Sequence, residues 1–373
     1  MNHMFPEIKK NFGFGMMRLP MCGDEVDIKQ TCDMVDVFLA AGFNYFDTAH
    51  GYIGGKSEMA VKACLTDRYP RDSYILTDKL SPNFFKTEAD IRPYLATMLE
   101  ACGVEYFDFF LLHSLHAGNY EHYTSNRAFE LAGEFKAEGK VRHVGISFHD
   151  TADVLDRILT EQPVIEVVQL QFNYLDYEDE NVQGRLCYEV CRKHGKPVIV
   201  MEPVRGGSLV NLPAAGLDVL NALGKDYSPA GYAIRYAASF EDIFMVLSGM
   251  SNMEQMQDNI NTMKDFTPFD DTEHAAVRRV AEIIRAIPTI PCTGCRYCTD
   301  GDRCPAHIKI PSVFGAENKA RRFSTSDARG YYDHVTATAK PTDCIGCGKC
   351  EKICPQQLPI RELLREIGER FEA

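Results

Sequence analysis

The sequence predicts an α/β chain in which a (β/α)8 TIM barrel is followed by a small cysteine-rich domain. Three observations carry that expectation. From about residue 12 to 265, short β-rich runs alternate eight times with longer amphipathic stretches. Several of the runs are almost continuously apolar, such as Phe107-Asp-Phe-Phe-Leu-Leu112 and Val198-Ile-Val-Met201, as strands covered on both faces require. Eight of the fourteen cysteines then fall in two short arrays near the C-terminus.

Taken in order, the predicted strands are 12–19, 44–48, 74–79, 107–113, 141–147, 167–173, 197–202 and 244–248. Helical patterns lie between and after them at 28–41, 57–65, 88–102, 126–138, 152–159, 182–194, 229–239 and 253–263. Eight strand–helix repeats in roughly 250 residues is the arithmetic of a barrel. A doubly wound sheet competes, but no G-x-G-x-x-G follows an early strand. Residues 271–286 form one more helix, and Pro288-Thr-Ile-Pro291 marks a boundary, so the expected domains are 1–287 and 288–373. Within the second, 317–329 reads as partly helical before an exposed connector, and 359–371 as a charged amphipathic helix. There is no further internal repeat and no low-complexity tract.

The first cysteine array is Cys292-x-x-Cys295-x-x-Cys298, followed by Cys304-Pro305. The second is Cys344-x-x-Cys347-x-x-Cys350-x-x-x-Cys354-Pro355. In two-cluster bacterial ferredoxins, three closely spaced cysteines hold one [4Fe–4S] cube while the Cys-Pro cysteine ligates the other. The expected ligand sets are Cys292, Cys295, Cys298 and Cys354 for one cluster, and Cys344, Cys347, Cys350 and Cys304 for the other. Five residues, Thr299 to Arg303, stand where three are usual, which lengthens a loop without removing a ligand. Zinc competes, yet it has no use for a third cysteine at this spacing plus a Cys-Pro. A disulfide framework is disfavoured because the N-terminus does not resemble a signal peptide. The expectation is a ferredoxin-like α+β iron–sulfur domain with two [4Fe–4S] clusters. Cysteines 22, 32, 64, 102, 187 and 191 read as small buried hydrophobes.

The net charge of −13 argues against nucleic acid or an anionic membrane surface as partner. No apolar run approaches the roughly 20 residues that span a bilayer. Thiolates that must stay reduced to hold iron point to a cytoplasmic location.

Active sites of β/α barrels form where the strands end. Asp47 ends the second predicted strand, Lys79 the third and His113 the fourth, with Tyr52 in the loop beyond Asp47. A tyrosine hydroxyl near pKa 10 needs a neighbouring cation to become a ready proton donor. Lys79 can supply the cation, Asp47 can hold it, and His113 can hydrogen-bond a carbonyl oxygen. That set can protonate an oxygen while hydride arrives at the carbon. Singly each residue has a plain structural use, as a cap, a rim ion pair, a satisfied polar end or a packed aromatic; together they point to chemistry.

Six segments resemble the aldo-keto reductase family: Gly13-Phe-Gly-Met-Met-Arg-Leu-Pro20, Asn44-Tyr-Phe-Asp-Thr-Ala-His-Gly-Tyr52, Leu111-Leu-His113, Gly145-Ile-Ser-Phe-His149, Val168-Gln-Leu-Gln-Phe-Asn-Tyr174 and Met201-Glu-Pro-Val-Arg-Gly-Gly207. With the cysteine arrays, the chain is similar to the bacterial members that carry a C-terminal ferredoxin-like domain. The resemblance implies Tyr52 as general acid, Lys79 and Asp47 tuning it, and His113 orienting the carbonyl of a small-molecule substrate. It implies a nicotinamide cofactor, NAD(H) or NADP(H), with Ser147 and Gln169 at the carboxamide and Arg205 near the pyrophosphate. Met201 replaces the aromatic that commonly covers the nicotinamide. Aligned on Asn259, Gly249 and Gln255 replace the Lys and Arg that clamp a 2′-phosphate, so NADH is favoured over NADPH. Hydride carries two electrons and a cluster one, and a flavin can join the two. The clusters are therefore structural, sensory or part of an electron path to a redox partner protein. The rival reading is an iron–sulfur electron-transfer protein whose barrel binds flavin or nucleotide.

Overall fold

A computed structural model describes residues 5–372. Its first architecture is a closed barrel of eight strands: β1 (Phe12–Gly15), β2 (Tyr45–Asp47), β3 (Ile75–Leu80), β4 (Phe107–Leu115), β5 (Val141–Phe148), β6 (Val167–Gln171), β7 (Val198–Met201) and β8 (Ile243–Gly249). All neighbours run parallel, and β1 closes the barrel by pairing with both β8 and β2. All eight expected strands are present. Gly15 is level with Asp47 and Gly249, and Asp47 with Thr77, so the strands end on one rim.

Inward residues fill the barrel. Phe5, Tyr45, Phe109, Leu111, Val167, Ile199, Phe244 and Met245 form one buried cluster, with the Phe5 ring 5.2 Å from Phe109 and 4.6 Å from Phe244. Gly145 in β5 leaves the space that β6 fills: a Cβ there would stand 2.5 Å from Val167 Cγ2. Any side chain at 145 would push two strands apart.

Outside the barrel, helices cover the apolar strand faces, and some of them begin on side-chain caps. Asp27 accepts from the Gln30 N–H at 2.9 Å to start Ile28–Ala40, which buries Phe38 against Phe12, Phe14, Phe43 and Phe46. Helix Glu88–Cys102 starts with a Thr87/Asp90 capping box and ends at Gly103, whose φ of 66° suits glycine.

The described chain divides into two compact units: residues up to Arg205 with Asp226–His274, and Gly206–Lys225 with residues from Ala275 onward. Among the described residues the regular elements of the second unit are helical, including Ala214–Asn221, Ile310–Arg322, Thr325–Val335 and Ile360–Glu372. Its core packs Val313, Phe314, Ile360, Leu364 and Ile367, and Tyr332 stacks on Phe371 at 4.2 Å.

Some expectations need correction. The exposed connector after 317–329 is instead a helix, Thr325–Val335, separated from Ile310–Arg322 at Phe323. Ser324 starts it by accepting the Asp327 N–H at 3.1 Å. Beyond the end of β4 the chain forms a further helix, Ala117–Ser125, begun by the His116 ring accepting from the Gly118 N–H. Among the scattered cysteines, 64, 102, 187 and 191 are buried, but Cys32 is half-buried and Cys22 exposed. No helix among the described residues is long and apolar enough to cross a membrane.

Candidate active site and cysteine cavities

Strand alternation sets the site. In β3, Lys79 reaches toward the end of β2 while Asp78 meets Cys102 of the covering helix. Lys79 is fully buried, and its Nζ donates to Asp47 Oδ1 at 2.5 Å and to the Thr48 carbonyl at 2.7 Å. The other Asp47 oxygen accepts from Gln169 Nε2 at 3.3 Å. Burial pulls the lysine down, but Asp47 and Tyr52 together hold it above its usual value. Burial raises Asp47, and Lys79 opposes that. With two donors on the carboxylate, the pair stands ionised.

Tyr52 opens a short turn, its N–H bonded to the Ala49 carbonyl at 2.9 Å. Ile53 follows in the left-handed region at φ 53°. The Tyr52 ring lies 4.8 Å from Lys79 Nζ and edge-on to His113 at 5.9 Å. The expectation that Lys79 makes this phenol more acidic than usual is corrected in its balance. Burial raises the hydroxyl, and Lys79 offsets this only in part. The phenol therefore keeps its proton at neutral pH.

His113 Nδ1 is 2.6 Å from Ser81 Oγ, and its carbonyl accepts from the Tyr123 hydroxyl at 2.7 Å. Burial, then Lys79 and His149, pushes the imidazole down to about 3. It is neutral at any ordinary pH.

Of the other expected residues, Ser147, Gln169, Met201 and Gly249 lie in strands, Arg205 in the turn after β7, and Gln255 and Asn259 in the helix Met253–Met263 that follows β8. Ser147, buried and level with Gln169, accepts the Ser114 N–H at 2.7 Å. Met201 ends β7, level with Gln171. Arg205 Nε donates to the buried Asp176 at 2.8 Å, and Asp176 also accepts from Gln171 and Asn173. Gly249 ends β8 beside the Arg18 side chain. Asn259 donates to Ser248 Oγ at 3.0 Å, while Gln255 accepts the Ser251 N–H at 2.8 Å.

One buried group was not anticipated. Glu58, Asp78 and Cys102 lie together behind Lys79, with His50 Nδ1 2.7 Å from Glu58 Oε2. Asp78 Oδ1 accepts the Lys79 N–H at 2.7 Å. Burial raises Glu58 to about 7, and burial followed by the neighbouring Glu58 raises Asp78 well above the usual carboxylate range. The signal was there: an acid beside Lys79 in an otherwise apolar strand.

In the second unit, two cavities divide the eight cysteines. Cys292, Cys295, Cys298 and Cys354 line one, with Phe314, Leu358 and Ile360. Cys304, Cys344, Cys347 and Cys350 line the other, with Ile345 and Leu364, and Ile310 borders both. Each Cys-Pro cysteine thus joins the other array. Burial pushes Cys298 up to about 11 and raises Cys350, so these thiols need a cation to ionise. Four sulfurs in an apolar pocket fit an iron–sulfur cube.

The barrel and its polar rim define a β/α-barrel oxidoreductase. A model of the aldo/keto reductase family matches residues 11–282, and one of a 4Fe-4S dicluster domain matches 291–358. The chain belongs to the aldo/keto reductase family and carries a C-terminal 4Fe-4S ferredoxin-type domain. It is 23% identical over 303 residues to the NADH-specific methylglyoxal reductase of Escherichia coli (strain K12), covering 69% of this chain and 89% of that protein. It is 25% identical over 238 residues to the L-galactose dehydrogenase of Arabidopsis thaliana, covering 59% and 73%. Its fold matches a crystal structure of an aldo-keto reductase from Klebsiella pneumoniae in complex with NADPH, with a TM-score of 0.60 at 18% identity over 73% of this chain and 90% of that one.

Proposed function

We propose that this protein reduces a small carbonyl substrate, or oxidises the corresponding alcohol, with a nicotinamide cofactor and Tyr52 as general acid. The observation that carries the reading is the buried Lys79–Asp47 pair beneath Tyr52, flanked by a neutral His113. The bound nicotinamide supplies hydride. Tyr52 donates its proton to the carbonyl oxygen as negative charge develops there, and Lys79 stabilises the resulting phenolate. His113, neutral and fixed by Ser81, offers a hydrogen bond to the same oxygen without competing for the proton. In alcohol oxidation the same groups act in reverse.

Ser147 and Gln169 hold the carboxamide, Met201 covers the nicotinamide, and Arg205, steadied by Asp176, meets the pyrophosphate. Gly249, Gln255 and Asn259 flank the adenosine end. With neutral residues at 249 and 255, a 2′-phosphate lacks its usual cations, which favours NADH. The NADH-specific relative agrees with that preference. The names of the two relatives suggest small aldehydes and sugars as substrates.

The C-terminal domain holds two [4Fe–4S] clusters, one on Cys292, Cys295, Cys298 and Cys354, the other on Cys344, Cys347, Cys350 and Cys304. A protein that keeps such thiolates reduced suits the cytoplasm. The two four-cysteine cavities also support a second reading, an electron-transfer protein that meets a redox partner.

Anaerobic enzyme mixed with NADH or NADPH and a panel of small aldehydes, ketones and sugars tests the proposal. Carbonyl-dependent oxidation of the cofactor is expected. Cofactor that is oxidised only when an external electron acceptor is added would favour the second reading.

A further inference from the structure

A cavity of about 570 Å³ in the second unit is not part of the barrel site and carries no role in the reading above. Cys304, a ligand in the proposed crossed set, stands in its wall. Ile308 and the partly exposed Tyr331 ring give it an apolar, aromatic side. Arg296, His307 and Lys309 give it a basic side, while Asp300 is its one acid and lies 3.6 Å from Arg296. On a chain of net charge −13, this local excess of cations selects for an anion. A flat ring belongs against Tyr331 and Ile308, and a phosphate against Arg296 and Lys309.

We propose that this cavity binds a phosphorylated planar electron carrier of the flavin mononucleotide class. The inference rests on the reading that Cys304 helps hold a cluster, and it gives that cluster a neighbour able to exchange both pairs of electrons and single ones. A reduced flavin held there would release two electrons, one at a time, and two protons, and the two proposed clusters would take up one electron each, the first through the cluster that Cys304 would help hold.

The test is an anaerobic titration of the iron-replete full-length protein with flavin mononucleotide, read by quenching of flavin fluorescence, with iron and sulfide measured on the same sample. Saturable quenching is expected. Lys309→Glu is expected to weaken it at least tenfold at unchanged iron content, and riboflavin, which lacks the phosphate, to bind less tightly than the nucleotide. Iron-replete protein that does not quench, or a Lys309→Glu variant that quenches equally well, would overturn the site. Riboflavin binding as tightly as the nucleotide would overturn the phosphate assignment. Protein that folds but takes up no iron would instead overturn the cluster reading and leave the barrel chemistry untouched.

Discussion

Lys79 Nζ and Asp47 Oδ1 lie 2.5 Å apart where both side chains are almost wholly shielded from water. A buried pair of this kind contributes little net stability when whole but is costly to break, because the survivor is left charged and unpaired. Lys79→Met should therefore destabilise the protein by about 3–5 kcal/mol. Adding Asp47→Asn to that variant should recover most of the loss, since no buried charge remains. Denaturant unfolding followed by far-ultraviolet circular dichroism checks both, and additive losses would mean the two residues act separately.

The pH dependence follows from Glu58 and His113. Glu58, 1% exposed, holds its proton up to about 7 when folded, above the ordinary carboxylate range it has when unfolded. The folded state thus binds more protons across that window, so stability falls as pH rises from the ordinary carboxylate range to about 7. Glu58→Gln should flatten that slope in a series of unfolding curves. His113 gives the complementary expectation. Being neutral down to about 3, it should put no break in the turnover profile near the ordinary histidine value.

The cofactor preference turns on Gly249 and Gln255. Introducing cations with Gly249→Lys and Gln255→Arg should tighten NADPH binding by roughly tenfold to a hundredfold, the worth of one or two charge-assisted bonds. NADH affinity should change little. A titration with both cofactors decides it, and no gain for NADPH would place the adenosine end elsewhere.

The crossed cysteine sets make a combinatorial prediction. Cys298→Ala and Cys354→Ala should each lower iron from about eight to about four per chain, and their combination should lower it no further. Cys304→Ala with Cys354→Ala should abolish both clusters. If Cys298→Ala with Cys304→Ala spares one cluster, the ligand sets are not crossed.

Much of this architecture is legible in the sequence for a simple reason. Doubly covered strands are apolar runs, and Phe107–Leu112 or Val198–Met201 can be little else. The polar residue that interrupts such a run at its end is then conspicuous, which is how Asp47, Lys79 and His113 stand out. Helices stabilised by caps and tertiary packing rather than by amphipathic repeat are harder to see. Ala117–Ser125 is polar and aromatic throughout, and its start depends on a histidine cap. Thr325–Val335 could have been found from Ser324 and Asp327 three residues later, a helix-start pattern. The Glu58–Asp78–Cys102 group joins a helix, a strand and a second helix, so only the folded chain brings it together. The balance at Tyr52 was hidden for the same reason. The neighbouring Lys79 could be inferred, but the depth of burial that outweighs it could not.

The most direct measurement compares NADH-dependent carbonyl reduction by the native protein and by Tyr52→Phe, with iron content and visible spectrum matched between them. Loss of a positioned general acid should lower turnover by about 10²–10⁴-fold while leaving the clusters and cofactor binding unchanged. Turnover by Tyr52→Phe at the native rate would contradict the assignment of Tyr52 and the proposed carbonyl chemistry with it.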